Sequence, residues 1–128
     1  MISIGVIGCG HWGPNHVRIF SQLPDSKVLM CADLDEKRLA AMSSLYPSIQ
    51  TTKNYQDILS NPAVDAVVVA LPTNFHFKIT QEALLAGKHV LCEKPLSLSA
   101  QECLTLNDLA FKQKKLLMVG HIFVFNQG

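Results

Sequence analysis

Short runs that are apolar at almost every position alternate along this chain with stretches whose apolar positions recur every three or four residues. The runs cover residues 2–7, 28–32, 66–71, 89–92 and 116–119, with a weaker one near 49–52. Strands without polar alternation are covered on both faces, the condition of a parallel sheet held between helices. Between the runs, Gly13, Val17 and Phe20 share one helical face. So do Leu39, Met42 and Tyr46, and further on Cys103, Leu106 and Ala110. The stretch SAQE from Ser99 to Glu102 reads as a capping box opening the last helix. Asn74 reads as the N-cap and Gly87 as the stop of the helix before it, and Asn61-Pro62 as a turn. Such alternation predicts a doubly wound α/β domain of three layers, with a parallel sheet in strand order 3-2-1-4-5-6.

Composition narrows the picture without changing it. A chain of 128 residues, 48% apolar and with a formal net charge of +1, has the profile of one globular domain over residues 1–128. A near-neutral balance gives no electrostatic basis for binding nucleic acid or an anionic membrane surface. The longest apolar run, AVVVAL, ends at Pro72, far short of the roughly 20 residues a bilayer needs. The N-terminus lacks the basic start of a secretory signal, so the reading is cytoplasmic. Cys9, Cys31, Cys92 and Cys103 form no CxxC pair and read as reduced, mostly buried thiols.

The first candidate chemistry is the segment GCGHWG, with Gly8, Gly10 and Gly13 between the first strand and the first helix. Read as turn residues only, they carry no function. Read in their strand–turn–helix context, each has a task. Gly8 permits the tight turn, Gly10 lets a pyrophosphate approach the backbone, and Gly13 lets helix and strand pack closely. Backbone N–H groups near His11 and Trp12, aided by the helix dipole, then face the anion. Asp33 at the end of the second strand decides between these readings. A carboxylate there accepts hydrogen bonds from the adenosine ribose and disfavours the 2′-phosphate of NADP, so NAD is the expected cofactor. Arg38 either lies against the adenine or pairs with Asp35, and FAD finds no other support in the chain.

Ligands in open α/β sheets bind beyond the carboxyl ends of the strands. Leu71, Pro72, Thr73 and Asn74 follow the fourth strand and are expected to line the cleft, while His76 is either a partly exposed surface histidine or a part of it. Glu93 and Lys94 follow the fifth strand, as a solvated surface pair or beside the nicotinamide. Lys94 is the candidate catalytic residue, orienting and polarising a substrate hydroxyl or carbonyl, because Glu93 favours its charged form. His11 and His16 lie five apart, a spacing that does not put two ligands on one helical face, so no metal site is expected.

The segments GVIGCGHWGPNH, CADLDEKR, VVVALPTNFH, AGKHVLCEKPLS and MVGHIFVFN together resemble the glucose–fructose oxidoreductase, inositol dehydrogenase and rhizopine-catabolism (Gfo/Idh/MocA) family, in its N-terminal NAD-binding Rossmann domain. GHWGPNHVRIF and VGHIFVFN look most like the sugar-nucleotide 3-dehydrogenase subgroup. The resemblance implies that the glycine turn holds the pyrophosphate and that Asp33 and Arg38 hold the adenosine. It also implies that Leu71, Pro72, Asn74 and His76 lie along the cofactor, that Glu93 and Lys94 reach the nicotinamide ribose and a sugar-type substrate, and that the Lys94–Pro95 bond is commonly cis. It further implies a C-terminal substrate domain that 128 residues do not include. The chain is then expected to bind NAD and to be nearly inactive alone, with Ile122, Phe123 and Phe125 available to a homodimer or a missing domain. The alternative is a non-catalytic nucleotide-binding or sensing module acting with a partner protein.

Overall fold

A computed structural model of the protein describes residues 1–121; the apolar residues Ile122, Phe123 and Phe125 lie outside the described residues. Six strands, β1 (Ile2–Ile7), β2 (Ser26–Ala32), β3 (Gln50–Thr52), β4 (Ala66–Val69), β5 (His89–Cys92) and β6 (Leu117–Val119), form one sheet in the order β3-β2-β1-β4-β5-β6. Every neighbouring pair is parallel. Helices α1 (Gly13–Gln22) and α2 (Glu36–Leu45) cover one face; α3 (Gln56–Ser60), α4 (His76–Leu85) and α5 (Ala100–Gln113) cover the other. This is the three-layer Rossmann arrangement that the apolar runs predict.

The two cores show why the runs lack polar gaps. Ile4, Val6 and Val68 pack on Val17, Leu39 and Met42 on one side. Ile7, Val67 and Val69 pack on Ile58, Ile79, Ala83 and Leu106 on the other. A register shift between Ile4 and Gly5 pairs them with Val28 and Met30, leaving Leu29 as an extra residue in β2. The bulge turns Leu29 and Met30 toward the same core. Helix α3 was not foreseen, since five residues are too few to show a helical period; its Ile58 fills the space a Gly5 side chain would need.

The helix ends follow the expected chemistry with one exception. Asp35 caps α2 by accepting from Lys37 N and Arg38 N. Ser99 Oγ accepts from Glu102 N at 3.1 Å, but the Glu102 carboxylate turns to Ser97 Oγ, so only half of the capping box forms. Gly87, at φ 77°, ends α4 as expected. Asn74 does not cap α4. Pro72 starts a 3-10 turn over Thr73–Phe75, Phe75 N donates to Pro72 O at 3.0 Å, and no side chain caps either segment. Asn74 is left exposed within that turn.

Candidate functional site

The carboxyl ends of β1, β2, β4 and β5 open onto a cavity of about 380 Å³ lined by Gly8, Gly10, His11, Trp12, Asp33, Arg38, Ala70, Leu71, Pro72, Glu93, Lys94 and Gly120. Its floor is the turn after β1. Gly8 sits at φ +101°, and a side chain there would collide with the Ala70 carbonyl. A Cβ on Gly13 would collide with the Gly8 carbonyl, so Gly13 lets α1 start against the strand end and does not itself line the cavity. Gly10 differs: a Cβ there meets nothing nearer than Arg38 Nη1 at 3.5 Å. Packing therefore does not explain Gly10.

The head of α1 leaves its first backbone donors open. Trp12 at its N-cap makes no side-chain cap bond, and no acidic residue stands in the first turn. The N–H groups of Gly10, His11 and Trp12 find no acceptor among the described residues. Pro14 occupies the first turn, where its missing N–H is harmless. Orphan N–H groups and the positive end of the helix dipole together suit a phosphate.

Asp33 stands beside this turn with its side chain 9% exposed. Its Oδ2 accepts from Cys9 N at 2.7 Å and its Oδ1 from Asp35 N at 2.8 Å. Two backbone donors thus fix the carboxylate and leave further lone pairs for hydroxyl groups in the cleft. Arg38 reaches both acids, with Nη1 at 3.7 Å from Asp33 Oδ2 and Nε at 3.9 Å from Asp35 Oδ2.

Across the cleft, Leu71 and Pro72 line the wall as expected, whereas Asn74 does not line it and projects from the 3-10 turn. His76 is neither a surface residue nor a wall residue. It is 1% exposed, and its ring lies behind the wall with Nδ1 at 2.6 Å from Pro95 O and Nε2 at 2.7 Å from Leu71 O. Position in the first turn of α4 was visible in the sequence; the two carbonyls flanking the ring were not.

Glu93 and Lys94 line the cavity at the end of β5, without forming a pair with each other. Instead His16 Nε2 lies 2.6 Å from Glu93 Oε1, reaching from α1, while Lys94 stays exposed. The sequence reading weighed His16 only as a metal ligand. Among the described residues no group of three His, Cys, Asp or Glu side chains is placed to hold a metal. The Lys94–Pro95 bond is cis.

A second cavity of about 400 Å³ shares Asp33, Arg38, Leu71 and Pro72 with the first and adds Leu34, Lys53, Tyr55, Phe75 and Ile79. These apolar and aromatic walls were missed in the sequence, because Tyr55 precedes the unforeseen α3 and Phe75 belongs to the 3-10 turn. Tyr55 is held in place by donating to Glu82 Oε2 at 2.7 Å. Burial and the neighbouring Glu82 raise its phenol above the usual range.

No cysteine lines either cavity. Cys9, Cys31 and Cys92 are buried and all four cysteines are free. The hydrogen bond with Cys31 and burial push the Cys9 thiol well up, and burial pushes Cys92 up to about 11. Neither is a poised nucleophile. No helix among the described residues is long and apolar enough to cross a membrane.

A parallel doubly wound sheet, a glycine turn feeding an uncapped helix and an acid fixed at the tip of the next strand are the features of a dinucleotide-binding domain. Residues 2–121 match the model of the family described as "Oxidoreductase family, NAD-binding Rossmann fold" (GFO_IDH_MocA), and the chain belongs to that family. It is 33% identical over 115 residues to an inositol 2-dehydrogenase of Corynebacterium glutamicum, covering 89% of this chain and 34% of that protein. Among solved structures, the biliverdin reductase of Synechocystis, in complex with biliverdin and NADP+, superposes with a TM-score of 0.92 at 27% identity, covering 97% of this chain and 39% of that one. KijD10, a 3-ketoreductase of Actinomadura kijaniata in complex with NADP and TDP-benzene, gives 0.90 at 30% identity, with 98% and 38% covered. The chain spans about a third of the length of the curated relatives it matches.

Proposed function

We propose that residues 1–128 are the cofactor half of an NAD-dependent dehydrogenase acting on a hydroxyl of a cyclitol, sugar or sugar nucleotide. The carrying observation is Asp33, locked by two backbone N–H bonds beside the open head of α1. The residues present fit a dinucleotide: Gly10 leaves room on the backbone, the α1 N–H groups suit the pyrophosphate, and the second cavity suits an adenine. Asp33 would accept from the adenosine ribose, with Arg38 beside it. Leu71 and Pro72 would form the wall behind the cofactor.

When bound, the nicotinamide supplies a hydride acceptor or donor. The chain's own part at that end belongs to Glu93 and Lys94. His16 holds Glu93, so the Lys94 ammonium faces the cleft without a carboxylate partner among the described residues and is free to orient a substrate oxygen. Lys94 is then an electrostatic and orienting group before it is a base. The names of the inositol dehydrogenase and the TDP-ligand ketoreductase support the substrate class. One lysine does not constitute a substrate pocket, so residues 1–128 alone are expected to bind the dinucleotide and turn over little. Titration with NAD and NADP, read by Trp12 fluorescence, tests the proposal. Saturable NAD binding that Asp33→Ala abolishes is the expected result, and equal affinity for the two dinucleotides overturns the assignment.

A further inference from the structure

Two residues from other elements limit where the Glu93 carboxylate can lie. From α1, His16 Nε2 stands 2.6 Å from Glu93 Oε1, with the two side chains 16% and 18% exposed. The His16 ring is itself stacked on Phe20, one turn further along the helix, with 6.3 Å between centroids and 19° between planes. Imidazole and imidazolium both have a hydrogen to give to a carboxylate, so the contact does not depend on the charge of the ring.

On the other side, just past β6, lies bare backbone. A Cβ on Gly120 would stand 3.2 Å from Glu93 Oε2 and 3.5 Å from both Cδ and Oε1 of the same side chain, and these are its three nearest atoms. Gly120 is not in the left-handed region, so its backbone does not call for glycine. The space that its missing side chain leaves is filled by the Glu93 carboxylate. Neither main chain is free to back away: Gly120 N donates to Cys92 O at 2.9 Å, and Glu93 N donates to Val69 O at 3.0 Å. A methyl group at position 120 must therefore displace the carboxylate, and His16 resists that displacement.

We infer that His16 and Gly120 are positioning residues for Glu93: together they form a slot that keeps its carboxylate off Lys94 and turns its open lone pairs to the hydroxyl groups of the nicotinamide ribose. The inference rests on the reading of the cleft as a dinucleotide site. Glu93 and Gly120 line the first cavity and neither lines the second, so the slot acts away from the walls formed by Tyr55 and Phe75.

A double-mutant cycle over His16→Ala and Gly120→Ala tests it. Each single variant should bind NAD about five- to tenfold more weakly, and the double variant about as weakly as the worse of the two, because a carboxylate already released has no position left to lose. AMP, which ends before the nicotinamide ribose, should change less than about twofold throughout. Urea unfolding without ligand gives a second cycle. There Gly120→Ala should raise the unfolding constant at least about fivefold in the unmodified chain, and less than about twofold when Glu93→Ala has removed the group it displaces. Losses of NAD affinity that multiply would mean that His16 and Gly120 act separately. Equal losses for NAD and AMP would mean that they only support the fold, and no loss for either would mean that the slot is idle. An undiminished cost of Gly120→Ala beside Glu93→Ala would mean that Glu93 is not what fills the space. Each of these results overturns the inference. If His16→Ala does not fold, the Glu93→Ala background decides. If the unmodified chain takes up no NAD, the reading of the cleft fails separately, and the urea cycle still judges the slot.

Discussion

Replacing Asp33 by Asn should remove most of the preference for NAD over NADP. The carboxylate is 9% exposed and bonded to Cys9 N and Asp35 N, so it cannot swing away from an incoming 2′-phosphate. Two unit charges about 4 Å apart, at an effective dielectric of about 20, repel by roughly 4 kcal/mol. Arg38 opposes this. Its Nη1 is 3.7 Å from Asp33 Oδ2, but its side chain is 54% exposed, so solvent screens its attraction for the phosphate. Taking about half of the repulsion as surviving leaves about 2 kcal/mol, or roughly 30-fold in favour of NAD. In Asp33→Asn the charge is gone while the shape remains, and the ratio should fall below about threefold. One of the two backbone N–H groups also loses its acceptor, which should lower stability by about 1–3 kcal/mol. Trp12, the only tryptophan, lines the cavity and reports both titrations by its fluorescence. The reasoning fails if the unmodified chain binds NAD and NADP within threefold of each other, or if Asp33→Asn keeps the full preference while still folded.

Gly10→Ala and Gly13→Ala should separate ligand space from packing. Gly13→Ala pushes a methyl group into the Gly8 carbonyl and should cost at least about 1–3 kcal/mol in urea unfolding, whereas Gly10→Ala should unfold normally and bind NAD more weakly. Ser99→Ala removes the acceptor of Glu102 N and should cost about 1 kcal/mol by the same assay. Lys88 is buried and donates to Asn61 O and Val64 O, both at 2.7 Å, and burial lowers its ammonium below the usual range. The native state therefore sheds that proton before the unfolded state does. Stability should rise with pH between the lowered native value and the ordinary value of 10.5, and this rise should be missing in Lys88→Met, as denaturant titrations across that window will show.

How much of this was legible in the chain depends on the range of the interaction concerned. Strand positions, sheet order and the glycine turn depend on local patterning and on rules of connection, so residues 2–7 read as a buried strand and Gly8 as a tight turn without any coordinates. Asp33, Gly8 and Gly10 could be placed at the cleft for the same reason, each being tied to the end of one element. The wall of the second cavity was not legible, because Tyr55 and Phe75 sit in segments too short to have a period. Nor was the bulge at Leu29, which depends on how two strands slide against each other.

The amino-acid order by itself determined a parallel doubly wound sheet and a glycine turn with an acid beside it, since periodicity and helix ends are properties of neighbouring residues. Only the tertiary structure decided that His16 would hold Glu93 and that His76 would span Leu71 and Pro95. His16 and Glu93 lie 77 positions apart, and such partners meet only where strand order and helix packing bring distant loops to the same edge of the sheet. No local pattern encodes which polar group a buried ring will find there.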